Sequence, residues 1–234
     1  MSCTQADRQP STKMKKNILT LIMATIGLYS CGQGSKSTPE TVDIETYNSV
    51  RKYEYADSVG KRLIIENGFP KGGMKYIDPN GDSYNYIVFW TRIINETDNT
   101  LELKMNVPVD SYEVPSLPGK YYKVLIPTDT MTLEKIPLFN YGLTGLESFL
   151  DNNIHKSSSL KRTINPKESS GFYVLMLCLT EGAGGFLRTG LSLKGQNLFY
   201  RISRYTQTSL TLSLINEKEI LFGSINLKNL ILQK

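Results

Sequence analysis

The chain predicts an antiparallel β-sandwich with one short helix. Three observations carry that expectation. Apolar residues recur at every second position in a series of short runs, which is the period of a strand. Turn-forming pairs separate those runs: Asn80-Gly81 suits the positive φ angles of a tight hairpin, and Pro118-Gly119 suits an ordinary turn. One segment has helical spacing, and strands do not alternate with helices as a parallel sheet requires.

Taken in order, Tyr53 and Tyr55 alternate with charges and suit a short edge strand, and Lys61 to Asn67 (KRLIIEN) is a strand. Phe69 to Gly73 is a loop before Met74-Lys75-Tyr76-Ile77. After the Asn80-Gly81 turn, Tyr84 to Asn95 (YNYIVFWTRIIN) is apolar on most positions of both faces. Such a strand belongs in the middle of a structure. Asn95 to Thr100 is a polar turn, and Leu101, Leu103, Met105 and Val107 alternate strictly with polar residues, giving one wet face. Tyr121 to Ile126 is a further strand. Thr144-Gly145-Leu146-Glu147 fits a capping box at the start of a helix that places Leu143, Leu146, Phe149 and Leu150 on one face and stops at Asp151-Asn152-Asn153. Leu160 to Ile164 and Phe172 to Thr180 flank a proline turn, and Leu187 to Leu193 pairs with Leu198 to Ser203 across Lys194 to Asn197. Leu210, Leu212 and Leu214 alternate with Thr211 and Ser213, a charged turn spans Asn216 to Glu219, and Ile220 to Phe222 with Ile225 closes the chain.

The segment Ile94-Asn95-Glu96-Thr97, followed much later by Ile164-Asn165-Pro166-Lys167-Glu168 before Phe172, resembles small immunoglobulin-like accessory domains of bacterial envelopes. The resemblance implies an immunoglobulin-like sandwich over residues 41–234.

The formal charge of +5 is unevenly placed. Arg8, Lys13, Lys15, Lys16 and Asp7 precede Cys31, so the remainder carries 23 basic against 21 acidic side chains, taken from totals of 27 and 22. No basic cluster remains of the kind a nucleic acid demands, and nucleic acid is rejected as a partner. Cysteines 3, 31 and 178 and a single histidine give no material for a disulfide framework or a zinc site. Cys178, inside an apolar run, reads as a small buried hydrophobe. No cofactor is expected.

Residues 18–29 (ILTLIMATIGLY) carry no charge and follow three lysines. As a helix of ~1.5 Å per residue they extend about 18 Å, short of the ~30 Å hydrocarbon core. A charged start, a short apolar middle and a small residue before a cut describe a secretory signal. Leu28-Tyr29-Ser30-Cys31 is similar to the lipobox of bacterial lipoproteins. That resemblance implies cleavage before Cys31, attachment of a diacylglyceryl group to its thiol, and acylation of the new terminus, with palmitate a typical chain. Residues 1–30 are then a signal peptide, and Met14-Lys15-Lys16-Asn17 is the expected start of translation. Residues 31–40 are the lipidated cysteine and a flexible tether rich in small residues. Several acyl chains, at ~0.8 kcal/mol per buried methylene, hold a protein stably on a membrane. Gly32, rather than aspartate, after the acceptor favours the outer over the inner membrane of the envelope, with the domain in the periplasm or beyond.

Chemistry is sparse. His155, with Asp151 four residues before it and Ser157 to Ser159 after it, offers parts of a hydrolytic triad, but no activated serine motif accompanies them. Ser157 to Ser159 with Lys161 could suggest a serine–lysine pair, but Lys161-Arg162 read as a solvated strand end. Asp78, Asn80 and Asp82 begin like a calcium loop, yet Phe89 stands where a bidentate glutamate is needed. The loop Glu181 to Gly190, with Gly182, Gly184, Gly185, Phe186 and Arg188, lacks the lysine and helix of a P-loop but offers an aromatic ring and a planar cation to a partner. Fourteen tyrosines suit either strands or a glycan-binding face. The expectation is a membrane-anchored module that binds an envelope protein or glycan through the glycine loop, with no catalytic residues assigned. Its alternatives are a hydrolase built on His155 and Asp151 and a structural subunit of an envelope assembly.

Overall fold

Strand pairing divides the chain into two antiparallel sheets. The computed structural model describes residues 41–43, 45, 48–114, 116–178, 186–228 and 231–232. The proposed signal peptide, Cys31 and tether, and Gly182, Gly184 and Gly185, lie outside the described residues.

The strands are β1 (Thr41–Asp43), β2 (Arg51–Ala56), β3 (Arg62–Asn67), β4 (Lys71–Ile77), β5 (Ser83–Asn95), β6 (Leu101–Val107), β7 (Tyr112–Glu113), β8 (Tyr121–Leu125), β9 (Ser158–Ile164), β10 (Ser169–Cys178), β11 (Phe186–Lys194), β12 (Asn197–Thr208) and β13 (Thr211–Asn226). Helix α1 covers Leu146–Asn153. One sheet runs β11-β12-β13-β6-β9, with β1 also on β13; the other runs β2-β3-β5-β10-β8-β7, with β4 also on β5. The described part is therefore a mostly-β, two-sheet antiparallel sandwich with one short helix.

The central strand β5 is apolar on both sides because each side faces a core. Phe89 and Ile93 join Leu103, Met105, Val174, Tyr200 and Ile202 between the sheets. Tyr84, Tyr86, Val88 and Trp90 join a second core on the opposite side, with Tyr141, Leu146, Leu150, Tyr173 and Leu175. That second core is roofed by residues 131–154, a strap of two 3-10 turns (Leu133–Lys135, Phe139–Gly142) and α1. The capping box does not form: Gly145, left-handed at φ 63, precedes the helix, and no side chain caps it. Leu143, Leu146 and Leu150 are buried as the helical spacing requires, and Phe149 packs against them half-buried.

Buried amides tie the sheets together at two places. Asn95, at the end of β5, donates to the carbonyls of Asn99, Ile164 and Asn165 at 2.7, 3.1 and 3.1 Å, and accepts from the Thr97 amide at 3.1 Å. It thereby joins the β5–β6 and β9–β10 turns, the two segments that the envelope-domain resemblance singled out. At the other side of the sandwich Asn67 on β3 acts as a peptide for the edge strand β11. Its side chain donates to the Leu191 carbonyl (3.0 Å) and accepts from the Leu191 amide (2.8 Å) and the Thr91 hydroxyl (2.9 Å). Tyr55 on β2 takes the Leu193 amide at 2.8 Å. Backbone groups at an open sheet edge would otherwise invite foreign strands, and here β2 and β3 cover them.

One sequence expectation fails on the last strand. Residues 216–219 are not a turn but lie inside β13, which runs unbroken from Thr211 to Asn226. The charges are tolerated because Arg201 on β12 stands opposite Glu219 and bonds it at 2.8 Å. Cys178 ends β10 half-buried rather than fully buried.

Candidate functional site

The strap's path is fixed by long-range bonds that no local pattern encodes. Lys71 on β4 donates to the carbonyls of Ile136 (2.6 Å) and Leu138 (2.8 Å) and lies 4.3 Å above the Tyr141 ring. Its removal from water depresses the ammonium pKa. Tyr141 donates to the Phe69 carbonyl at 2.5 Å, and Tyr173 donates to the Tyr141 carbonyl at 2.8 Å. The Asn140 amide bonds the Tyr86 hydroxyl at 3.4 Å, and that hydroxyl in turn contacts the Met74 sulfur at 3.5 Å.

These contacts hold two consecutive non-glycine residues left-handed, Asn140 at φ 45 and Tyr141 at φ 56. Such backbone costs about 1–2 kcal/mol per residue for an L side chain. Both residues are buried; the two before them are not. Leu138 is 50% exposed and Phe139 71% exposed. Met74, whose sulfur shares the Tyr86 hydroxyl with Asn140, is exposed as well. A strained turn with a rigid backing therefore presents an aromatic and an aliphatic side chain to solvent. Strain of this kind concentrates at functional sites.

On the same strand, farther along, Lys75, Tyr76 and Ile77 line an open cleft with Glu147 and Asp151 of α1, about 360 Å³ in volume. Tyr76 donates to the Asp151 carboxylate at 2.7 Å. Burial, and then the neighbouring carboxylate, push the phenol's pKa well above its ordinary value.

The structure places the sequence candidates as follows. His155 and Asp151 do not pair: Asp151 is held by Tyr76, while His155 Nε2 lies 3.7 Å from Asp78 Oδ2. Asp78 is buried in its own turn, where its other oxygen accepts from the amides of Asn80 (2.9 Å) and Asp82 (2.8 Å). The stretch that begins like a calcium loop is thus a hairpin turn whose first carboxylate is folded back onto its own amides. Among the described residues, no hydroxyl donates to His155. Phe186 opens β11 opposite Tyr205. Arg188, expected on a surface loop, is 1% exposed within β11 and donates to the Ser49 carbonyl, because the segment leading into β2 lies against that edge. The planar cation is therefore not presented to solvent. Lys161 and Arg162 lie on β9, Lys161 exposed and Arg162 donating to the Thr128 carbonyl at 3.0 Å, as a solvated strand end would be.

Sequence reading missed Leu138, Phe139 and Met74. A signal was present in Phe139-Asn140-Tyr141-Gly142, since asparagine and glycine are the residues that tolerate left-handed backbone. No helix among the described residues is long and apolar enough to cross a membrane. No family model, no curated protein and no solved structure matches this chain.

Proposed function

We propose that the chain is a lipid-anchored envelope lipoprotein whose β-sandwich binds another envelope protein, with the strained turn at Leu138-Phe139 as the contact. The lipobox-like Leu28-Tyr29-Ser30-Cys31 supports the anchor. The contact rests on one observation: Phe139 is 71% exposed on a turn whose next two residues are buried and left-handed. A fixed backbone lowers the conformational cost of presenting an aromatic side chain to a partner, and aromatic anchors dominate interface energetics. Met74 and Leu138 extend the exposed apolar surface. This moves the binding role away from the glycine loop of the sequence reading and favours a protein over a glycan, because the exposed groups are chiefly apolar.

Crosslinking in intact cells, followed by purification and mass spectrometry, tests the reading. A partner captured by the unaltered protein should be lost with Phe139→Ala and with Leu138→Ser, while Glu113→Gln, on the distant strand β7, retains it. Capture unaffected by Phe139→Ala would refute the assigned contact.

A further inference from the structure

Lys71 and Met74 both meet the strap because their strand carries an extra residue between them. The register of β4 on β5 slips between Gly72 and Met74, leaving Lys71 opposite Val88 and Met74 opposite Tyr86. In an unbroken strand, residues three apart point to opposite faces. Here the bulge sets both on the side of the second core, to which Val88 and Tyr86 belong. Gly72 and Gly73 make the slip at φ 117 and 83, backbone that glycine adopts without strain.

The turn that Lys71 meets is held against its own preference. Asn140 and Tyr141 are both left-handed, a conformation that a bulky side chain such as tyrosine resists. The Asn140 side-chain nitrogen makes only a long bond to Tyr86, at 3.4 Å, and its buried Oδ1 accepts no hydrogen bond from any described residue. Local forces therefore favour another course for the backbone, and contacts from outside the turn oppose them. Phe69 and Tyr173 hold the later side of the turn, at the hydroxyl and the carbonyl of Tyr141. On the earlier side, the Leu138 carbonyl accepts from the Tyr141 amide at 3.0 Å and from Lys71. The Lys71 ammonium takes the Ile136 carbonyl as well, so one cation grips the chain twice just before Phe139. Bonds from a charged donor are stronger than neutral ones.

We propose that Lys71 is the positioning residue of the contact: its ammonium clamps the turn in the strained course that presents Phe139. Without the clamp, residues 140–141 relax and Phe139 is withdrawn from the partner. The inference rests on Phe139 being the contact, and adds what controls its presentation. Lys71 acts through the turn and not by touching the partner. Apparent affinity then scales with the fraction of molecules in the clamped state.

Trp90 reports on the turn without a partner. It is the single tryptophan and lies edge-on to Tyr141, with ring centroids 6.3 Å apart. The test uses the full chain labelled with 5-fluorotryptophan and purified in detergent. The fluorine resonance of Trp90 is read beside crosslinking capture in intact cells. Lys71→Met is expected to move the resonance and to reduce capture at least ~5-fold. Adding Asn140→Gly lowers the cost of the left-handed course at that position. The double variant is expected to return the resonance to its original position and capture to within ~2-fold of the unaltered chain. A lysine that only stabilises the fold predicts no such rescue, because glycine at 140 restores none of its bonds. If Lys71→Met does not fold, Lys71→Gln, which keeps a neutral donor, is expected to give an intermediate displacement that Asn140→Gly again reverses. An unmoved resonance and unchanged capture in the Lys71 variant, with capture lost in Phe139→Ala, would overturn the inference and leave the contact standing. A displaced resonance that Asn140→Gly does not restore would overturn it too. Capture that survives Phe139→Ala would remove the contact and this inference together.

Discussion

Asn67→Ala removes the amide that ties β3 to the edge of β11. Asn67 is 2% exposed and makes three hydrogen bonds, two of them to the backbone of Leu191 and one from Thr91. Alanine cannot replace any of them, so the Leu191 amide and carbonyl are left buried and unpaired. At ~1–3 kcal/mol for each stranded group, with the Thr91 hydroxyl free to rotate elsewhere, the loss is about 3–5 kcal/mol. In a domain of this size each kcal/mol lowers Tm by ~2–4 °C, so a fall of about 6–20 °C is expected. Urea denaturation followed by tryptophan fluorescence gives the loss directly, with m unchanged if the denatured state is unaffected. Trp90 suits that readout because it is the one tryptophan in the chain and is buried in the second core. Asn67→Asp separates the hydrogen-bond explanation from a packing one. It keeps the acceptor for the Leu191 amide but sets a carboxylate oxygen against the Leu191 carbonyl. Burial raises that carboxyl's pKa in the folded state, so its stability relative to the unaltered protein should be worst at neutral pH and partly recover as pH falls and the group protonates. A loss below about 1 kcal/mol for Asn67→Ala, or no pH-dependent recovery in Asn67→Asp, would refute the reasoning.

Asn95→Ala should destabilise the fold by about 2–4 kcal/mol in the same assay, since carbonyls on both linked turns lose their donor. Gly68→Ala should be at least as damaging, because an added Cβ would sit 2.1 Å from the Trp90 ring nitrogen; a well-folded variant with unchanged near-ultraviolet circular dichroism would contradict that packing. Lys194 and then Arg201 hold the Glu219 carboxyl below its ordinary pKa, so the stability it contributes is present above the unfolded value and disappears as pH falls through the folded one. Glu219→Gln should therefore flatten the acid limb of a stability–pH profile and leave the alkaline limb unchanged. Phe139→Ala should shift stability by no more than ~0.5 kcal/mol, as befits an exposed residue, while abolishing partner capture; a large loss of stability would instead make Phe139 structural.

Period-two patterning matches the structure in strands such as β5 and β6, whose environment is uniform along their length. Tyr84 to Asn95 faces a core on each side and is apolar on each side; Leu101 to Val107 faces one core and alternates. Local signals failed where a distant partner overrides them. The charges at 216–219 suggest a turn until Arg201 is seen opposite them. Thr144 and Glu147 suggest a capping box until the strap's course makes Gly145 left-handed. Arg188 has the chemistry of a surface residue and is buried because the segment leading into β2, more than a hundred positions earlier, lies against β11. The pairing of His155 with Asp78 and of Asp151 with Tyr76 is equally non-local. The exposed Phe139 depends on Lys71, Tyr86 and Tyr173 fixing the turn behind it, which no spacing within residues 131–145 encodes.

The proposed function rests on the lipid anchor that Leu28-Tyr29-Ser30-Cys31 suggests. Growth of cells with a palmitate analogue, followed by capture of the intact protein and of its Cys31→Ala variant, tests it most directly. The expected result is a labelled, membrane-associated product for the unaltered chain and an unlabelled one for the variant. Equal labelling of the two proteins, or no label on either at comparable expression, would contradict the claim.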